Sequence, residues 1–189
     1  MYSGTYGSAL QGKAMVKNKC HIEVIDCQLA IGGQLLLTIM AAQMAKAGDN
    51  LSKIVRWVKK AMPRTHVRMS FDTLEYLRRG GRIGKAQAFL GSLLKVNPVC
   101  SIKDGTTFPI ARPRNRAQAM DFLVNFAKSF HNIEALAIED ATTPDELEML
   151  AQRLKELVSP ERFYRSKISP VVGTHVGPHV LAVSVLEGE

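Results

Sequence analysis

The stretch Leu74-Glu75-Tyr76-Leu77-Arg78-Arg79-Gly80-Gly81-Arg82-Ile83-Gly84 decides the reading of this 189-residue chain. It reads as a short amphipathic helix stopped by a double glycine, after which one arginine is delivered on a tight turn. Glycine supplies the positive backbone angles that end a helix, and its missing side chain lets another group come close. An arginine held just beyond such a turn is a fixed, permanently charged fork suited to a carboxylate or phosphate. On this stretch alone, a helix cap followed by a solvated arginine competes with that reading.

Outward from the double glycine, the chain alternates strands and helices. Thr65 to Phe71 alternates as a strand before the Leu74 helix, and Lys85 to Leu94 reads as a short apolar helix after it. Val99 to Ile102, Asp104-Gly105 and Thr107 to Ala111 predict a hairpin, because Asp-Gly between apolar runs favours the turn that strand twist requires. Arg112-Pro113-Arg114-Asn115-Arg116 leads into a helix whose Met120, Leu123, Phe126, Ala127 and Phe130 face inward. Ile133 to Ile138 is a strand. Thr143-Pro144-Asp145-Glu146 combines a capping box with proline at the first helical position, ahead of a helix that buries Leu147, Leu150, Ala151, Leu154 and Leu157. Phe163 to Ile168 and Val180 to Leu186 are strands, with Gly173-Thr174-His175-Val176-Gly177-Pro178-His179 read as the loop between them.

Towards the N-terminus, Ser3 reads as the N-cap of a helix running from Gly4 to about Lys19. Ile22 to Asp26 reads as a short strand. Ala30 to Ala47 is a largely apolar helix closed by Gly48, and Asp49 or Asn50 caps another, which Pro63 ends. This order suits an α/β layer. The expected division falls at Pro63-Arg64, into residues 1–63 and 64–189.

Composition narrows the class. Apolar residues at 46% and charged residues at 22% suit a water-soluble globular core. Cys20, Cys27 and Cys100 are odd in number and lack paired metal spacing, so reduced thiols in a cytoplasmic setting are expected. No signal-peptide pattern opens the chain. The uncharged run Cys27–Ala45 holds three glutamines and a Gly-Gly pair, which favours a buried helix over a membrane span. The net charge of +8 is uneven: fifteen Lys and Arg between Lys53 and Arg116 face three acids, a local balance of +12. Such a basic middle implies an acidic partner, an anionic ligand or a nucleic acid, or a merely solvated face.

Three places are candidates for binding an anion. Ser3-Gly4-Thr5 opens a helix, whose free amides form an anion site. Arg82 follows the double glycine. His175 sits between glycines, where an imidazole could donate a hydrogen bond or move a proton, or be no more than a surface loop histidine. No zinc spacing joins the five histidines, and no Walker loop, dinucleotide fingerprint or Gly-x-Ser-x-Gly elbow is present. Glu139-Asp140 at a strand end reads as the cap of the next turn rather than a catalytic pair.

Taken together, Ser3 to Ala9, Leu74 to Ile83 and Gly173 to Pro178 resemble the DegV family of bacterial fatty-acid-binding proteins over essentially the whole chain. The resemblance implies a two-domain α/β protein, its N-terminal domain incomplete here, since the family begins upstream with a first strand and a Thr/Ser-rich loop. It implies a tunnel enclosing one long-chain fatty acid and no cofactor. It also implies a dihydroxyacetone-kinase-like fatty acid kinase as partner, which phosphorylates the bound carboxyl group to an acyl phosphate for phospholipid synthesis. By the same resemblance, Ser3 with Gly4 and Thr5, Arg82 and His175 bind the carboxylate, and the chain itself is not an enzyme. At His179 the family usually has glycine.

Arg112, Arg114 and Arg116 are expected to dock the kinase. No metal, nucleic acid or stable membrane insertion is expected. Two other functions compete: a phosphotransfer enzyme of the dihydroxyacetone-kinase-related group, and a basic nucleic-acid-binding module. Against the first stands the missing phosphate-cradling loop. Against the second stand the few aromatics among the charges (Trp57, Phe71, Tyr76, Phe89 and Phe108), most of them on apolar faces.

Overall fold

A computed structural model of the chain describes residues 3–17, 20–90 and 96–189. Its helices are α1 (Thr5–Met15), α2 (Ile31–Lys46), α3 (Leu51–Ala61), α4 (Glu75–Arg79), α5 (Arg116–Lys128), α6 (Pro144–Leu154) and α7 (Pro170–Val176). Its strands are β1 (Thr65–Ser70), β2 (Val99–Lys103), β3 (Thr106–Ala111), β4 (Ile133–Asp140), β5 (Phe163–Lys167) and β6 (Leu181–Glu187). They form one sheet in the order β3-β2-β1-β6-β4-β5, antiparallel except for the β4–β5 pair.

The strand period of two divides the core between two faces. On one face Leu136, Ile138, Val183 and Val185 pack with Leu123, Val124 and Ala127 of α5 and Leu150 and Leu154 of α6. On the other, Ala135, Ala137 and Leu186 meet Leu36, Leu37 and Met40 of α2. Further along that face Val67, Met69, Cys100 and Ala182 meet Leu77 of α4 and Val176 beside Gly177. Burial pushes the Cys100 thiol up to about 12, so it stays protonated in the core.

The Gly32-Gly33 pair explains how α2 comes so close. A side chain at Gly32 would collide with Ser184 and Glu139, and one at Gly33 with Val67. The hairpin is as expected: Asp104 and Gly105 both take positive φ, 52° and 66°, as a type I′ turn requires. Asn50 and Asn115 cap their helices by accepting the Lys53 and Gln118 amides.

Several expectations are corrected. Ile22–Asp26 is not a strand: it pairs with no other segment among the described residues, and Asp26 Oδ1 instead accepts the Gln28 amide in a turn towards α2. Helix α1 is shorter than read and starts from Gly4, with the Ser3 hydroxyl accepting the Thr5 amide at 3.1 Å. The expected end at Lys19 lies outside the described residues. The segment expected to be helical over 85–94 forms a 3-10 turn at Gly84–Phe89, and residues 91–95 lie outside the described ones. Thr143 makes no capping bond; Asp140 Oδ2 takes its amide at 2.8 Å, and Glu146 turns away to Arg116. The Gly173–His179 stretch is not all loop. Ser169 caps α7, Pro170 opens it, and His175 belongs to its last turn.

Candidate functional site

The double glycine builds a Schellman motif. The Arg82 amide reaches back to the Leu77 carbonyl at 2.8 Å and the Gly81 amide to Arg78 at 3.1 Å, with Gly81 at φ +68°. The two glycines have different tasks. Gly81 supplies the left-handed turn and has open space around it, whereas Gly80 is helical and lies directly against the His175 ring. Any side chain at Gly80 would occupy the place of His175 Nδ1.

Arg82 meets the same residue, donating from Nη1 to the Gly80 carbonyl at 2.6 Å. The turn is tied to the sheet edge, since Thr107 Oγ1 donates to the Arg82 carbonyl at 2.8 Å. Glu75 engages Arg78 and Arg79, at 2.6 and 2.7 Å. Their hydrogen bonds hold the Glu75 carboxyl down at about 2. The structure thus sorts three neighbouring arginines: two answer to Glu75, and Arg82 is folded back to Gly80.

Helices α4 and α7 meet through a second glycine. Gly177 has φ +84°, and the Tyr76 ring fills the space where its side chain would stand. Flanking Tyr76 are two open clefts. One, of about 220 Å³, runs from Asp72 to His179; the other, of about 440 Å³, is lined by Ala141, Ile168, Pro170 and Gly173. The second is within the size range of small-ligand sites. The Nδ1 atom of His175 is buried with no hydrogen-bond partner among the described residues, a state that proteins seldom leave unexplained.

The structure brings Arg82 and His175 together at Gly80. Ser3, Gly4 and Thr5 lie exposed at the start of α1, a helix with no buried residue. Their hydroxyls bond each other at 2.8 Å. Arg112, Arg114 and Arg116 have different surroundings. Arg112 stacks 4.3 Å over Phe89 and donates to the Ala88 carbonyl. Arg116 grips Glu146 through Nε and Nη2, at 2.9 and 2.6 Å. Arg114 is exposed.

Two features escaped the sequence reading. His179 Nδ1 bonds Asp72 Oδ2 at 2.7 Å, across 107 positions. Glu139 is almost fully buried at the N-terminus of α2, accepting the Gly32 amide and, at 2.7 Å, the Ser166 hydroxyl. Burial pushes its carboxyl above the ordinary range, partly offset by those two donors. Its neighbour Asp140 caps the next turn, as read from the sequence. Among the described residues no group of three or more His, Cys, Asp or Glu side chains could hold a metal ion, and no helix is long and apolar enough to cross a membrane.

A mixed six-stranded sheet with helices on both faces, and an arginine and a histidine set at one helix end, define an α/β protein with a candidate anion-binding corner. The sequence profile of the DegV family, described as "Uncharacterised protein, DegV family", matches residues 1–188. The chain belongs to the DegV family. A DegV domain-containing protein of Caldanaerobacter subterraneus is 34% identical over 187 residues, covering 96% of this chain and 66% of its own length. The chain thus spans just under two thirds of that curated relative. A solved structure from Thermus thermophilus, whose description is fatty acid binding of a DegV family protein, superposes with a TM-score of 0.87 at 27% identity, covering 99% of this chain and 68% of that one. DegV of Bacillus subtilis, described as a fatty acid binding protein, superposes with a TM-score of 0.81 at 27% identity, covering 99% and 67%.

Proposed function

We propose that this chain is a cytoplasmic lipid carrier that encloses a long-chain fatty acid and presents its carboxylate to a dihydroxyacetone-kinase-like fatty acid kinase for acyl-phosphate formation. It performs no chemistry of its own and uses no cofactor. The observation that carries this reading is the convergence of Arg82 and His175 on Gly80. A guanidinium and an imidazole at one point suit a single carboxylate, and relatives with this fold are described as fatty acid binding.

In this reading Ser3, Gly4 and Thr5 add hydroxyl and amide donors, and the apolar clefts beside Tyr76 receive part of the acyl chain. The kinase docks on the basic segment of Arg112, Arg114 and Arg116. The division at residue 63/64 is likewise a proposal: every described strand is C-terminal to it, while α2, N-terminal to it, buries Leu36 and Leu37 on the sheet.

The test is palmitate binding with mass spectrometry of co-purifying lipid. Loss of a charge-assisted hydrogen bond costs about 1.5–3 kcal/mol, so Arg82→Ala is expected to weaken binding roughly ten- to a hundredfold. An Arg82→Ala protein with full affinity removes the arginine from the site.

A further inference from the structure

The segment leaving α7 is held on two sides by unequal means. Towards β4, backbone bonds fix it: the Ala141 amide donates to the Val180 carbonyl at 3.1 Å, and the Thr142 amide and hydroxyl both donate to the Pro178 carbonyl. Towards α4, across the 220 Å³ cleft, the polar tie among the described residues is the 2.7 Å bond between His179 Nδ1 and Asp72 Oδ2. Asp72 is itself a fixed post. Asn97 Nδ2 donates to its other oxygen at 3.0 Å, and Arg116 Nη1 stands 3.5 Å from it, anchored in turn by Glu146. A chain of polar contacts, Glu146–Arg116–Asp72–His179, therefore runs from the start of α6 to the exit of α7.

We propose that the Asp72–His179 bond is a strap that seats α7 on α4, making Asp72 and His179 positioning residues for His175. The two helices touch at Gly80 and Gly177, where His175 and Tyr76 fill the space of the missing side chains. Movement of the α7 exit away from α4 lifts the His175 ring from Gly80. Both ends of the strap line the 220 Å³ cleft, Asp72 from the loop after β1 and His179 from the exit of α7. Its bearing on ligand affinity rests on the carrier reading; its bearing on α7 does not.

The experiment separates the two. Amide hydrogen exchange is followed on the full chain without ligand, at Gly173 and Gly177, whose amides donate within and just after α7 at 2.8 Å. His179→Ala and Asp72→Asn are each expected to speed exchange at these amides roughly two- to fivefold, the range for a partly exposed polar pair. The double variant is expected to be no faster than the faster single one, and His179→Gln, which restores an N–H donor, to recover protection. Unchanged exchange, additive effects in the double variant, or an acceleration spread evenly over the whole sheet overturns the strap. Palmitate affinity is measured on the same proteins and falls by the same factor if α7 carries a ligand group. If exchange responds but palmitate does not bind even the parent protein, the strap stands and the carrier reading fails.

Discussion

The His175 ring occupies the space that any side chain at Gly80 would need. This one relationship makes a glycine in the middle of the chain and a histidine near its end parts of a single corner. It also separates the two members of the glycine pair by function.

Gly80→Ala is expected to displace His175, costing about 1–3 kcal/mol as overpacking does, and to weaken palmitate binding with it. Gly81→Ala meets open space and only the strain of φ +68°, about 1–2 kcal/mol, with the ligand site intact. Urea unfolding and palmitate titration of both variants check this. A Gly80→Ala protein that binds like the parent breaks the link between the glycine and the site.

Buried Glu139 and half-buried Glu146 predict opposite pH trends. Hydrogen bonds from Arg116 hold Glu146 below its ordinary value, so its stabilising contribution is complete above the ordinary glutamate range and disappears as pH falls through the lowered value. Burial raises Glu139, so its contribution declines as pH rises from the ordinary range, about 4.3, towards the raised value. Measured by urea unfolding from acid to neutral pH, the parent's advantage over Glu146→Gln should grow and its advantage over Glu139→Gln should shrink. Parallel trends would contradict the placement of one of them.

The basic segment is not uniform. Arg116→Glu places an acid beside Glu146 and Asp72 and is expected to cost roughly 1–3 kcal/mol of stability, while Arg114→Glu stays within about 0.5 kcal/mol. If the segment docks a kinase, Arg114→Glu slows acyl-phosphate formation at low salt with lipid occupancy unchanged, because steering by exposed charge is screened. Loss of the bound lipid in Arg114→Glu places that residue at the pocket instead.

Local chemistry alone determined much of this protein. Asn50 as a cap, Gly48 as a stop, the Asp104-Gly105 turn and the apolar faces of α5 and α6 follow from interactions within a few residues, so they are legible in sequence. The helix stop at Leu74–Gly84 was legible for the same reason, as was the double glycine's fitness for close approach, whereas Gly173–Pro178 read as a loop although its first four residues close α7. What tertiary structure decided involves partners far apart in the chain. Ile22–Asp26 has strand composition but bonds to no strand among the described residues, and a ladder needs two. Glu146 has the spacing of a capping box, yet a bidentate bond to Arg116 outcompetes the cap. Which of Arg78, Arg79 and Arg82 is folded back to Gly80 depended on Glu75 engaging the first two, and which group fills the space above Gly80 depended on the sheet returning α7 to α4. Glu139 and the Asp72–His179 bond carry no local signal at all: each exists because the fold closes 107 positions of chain into a hydrogen bond.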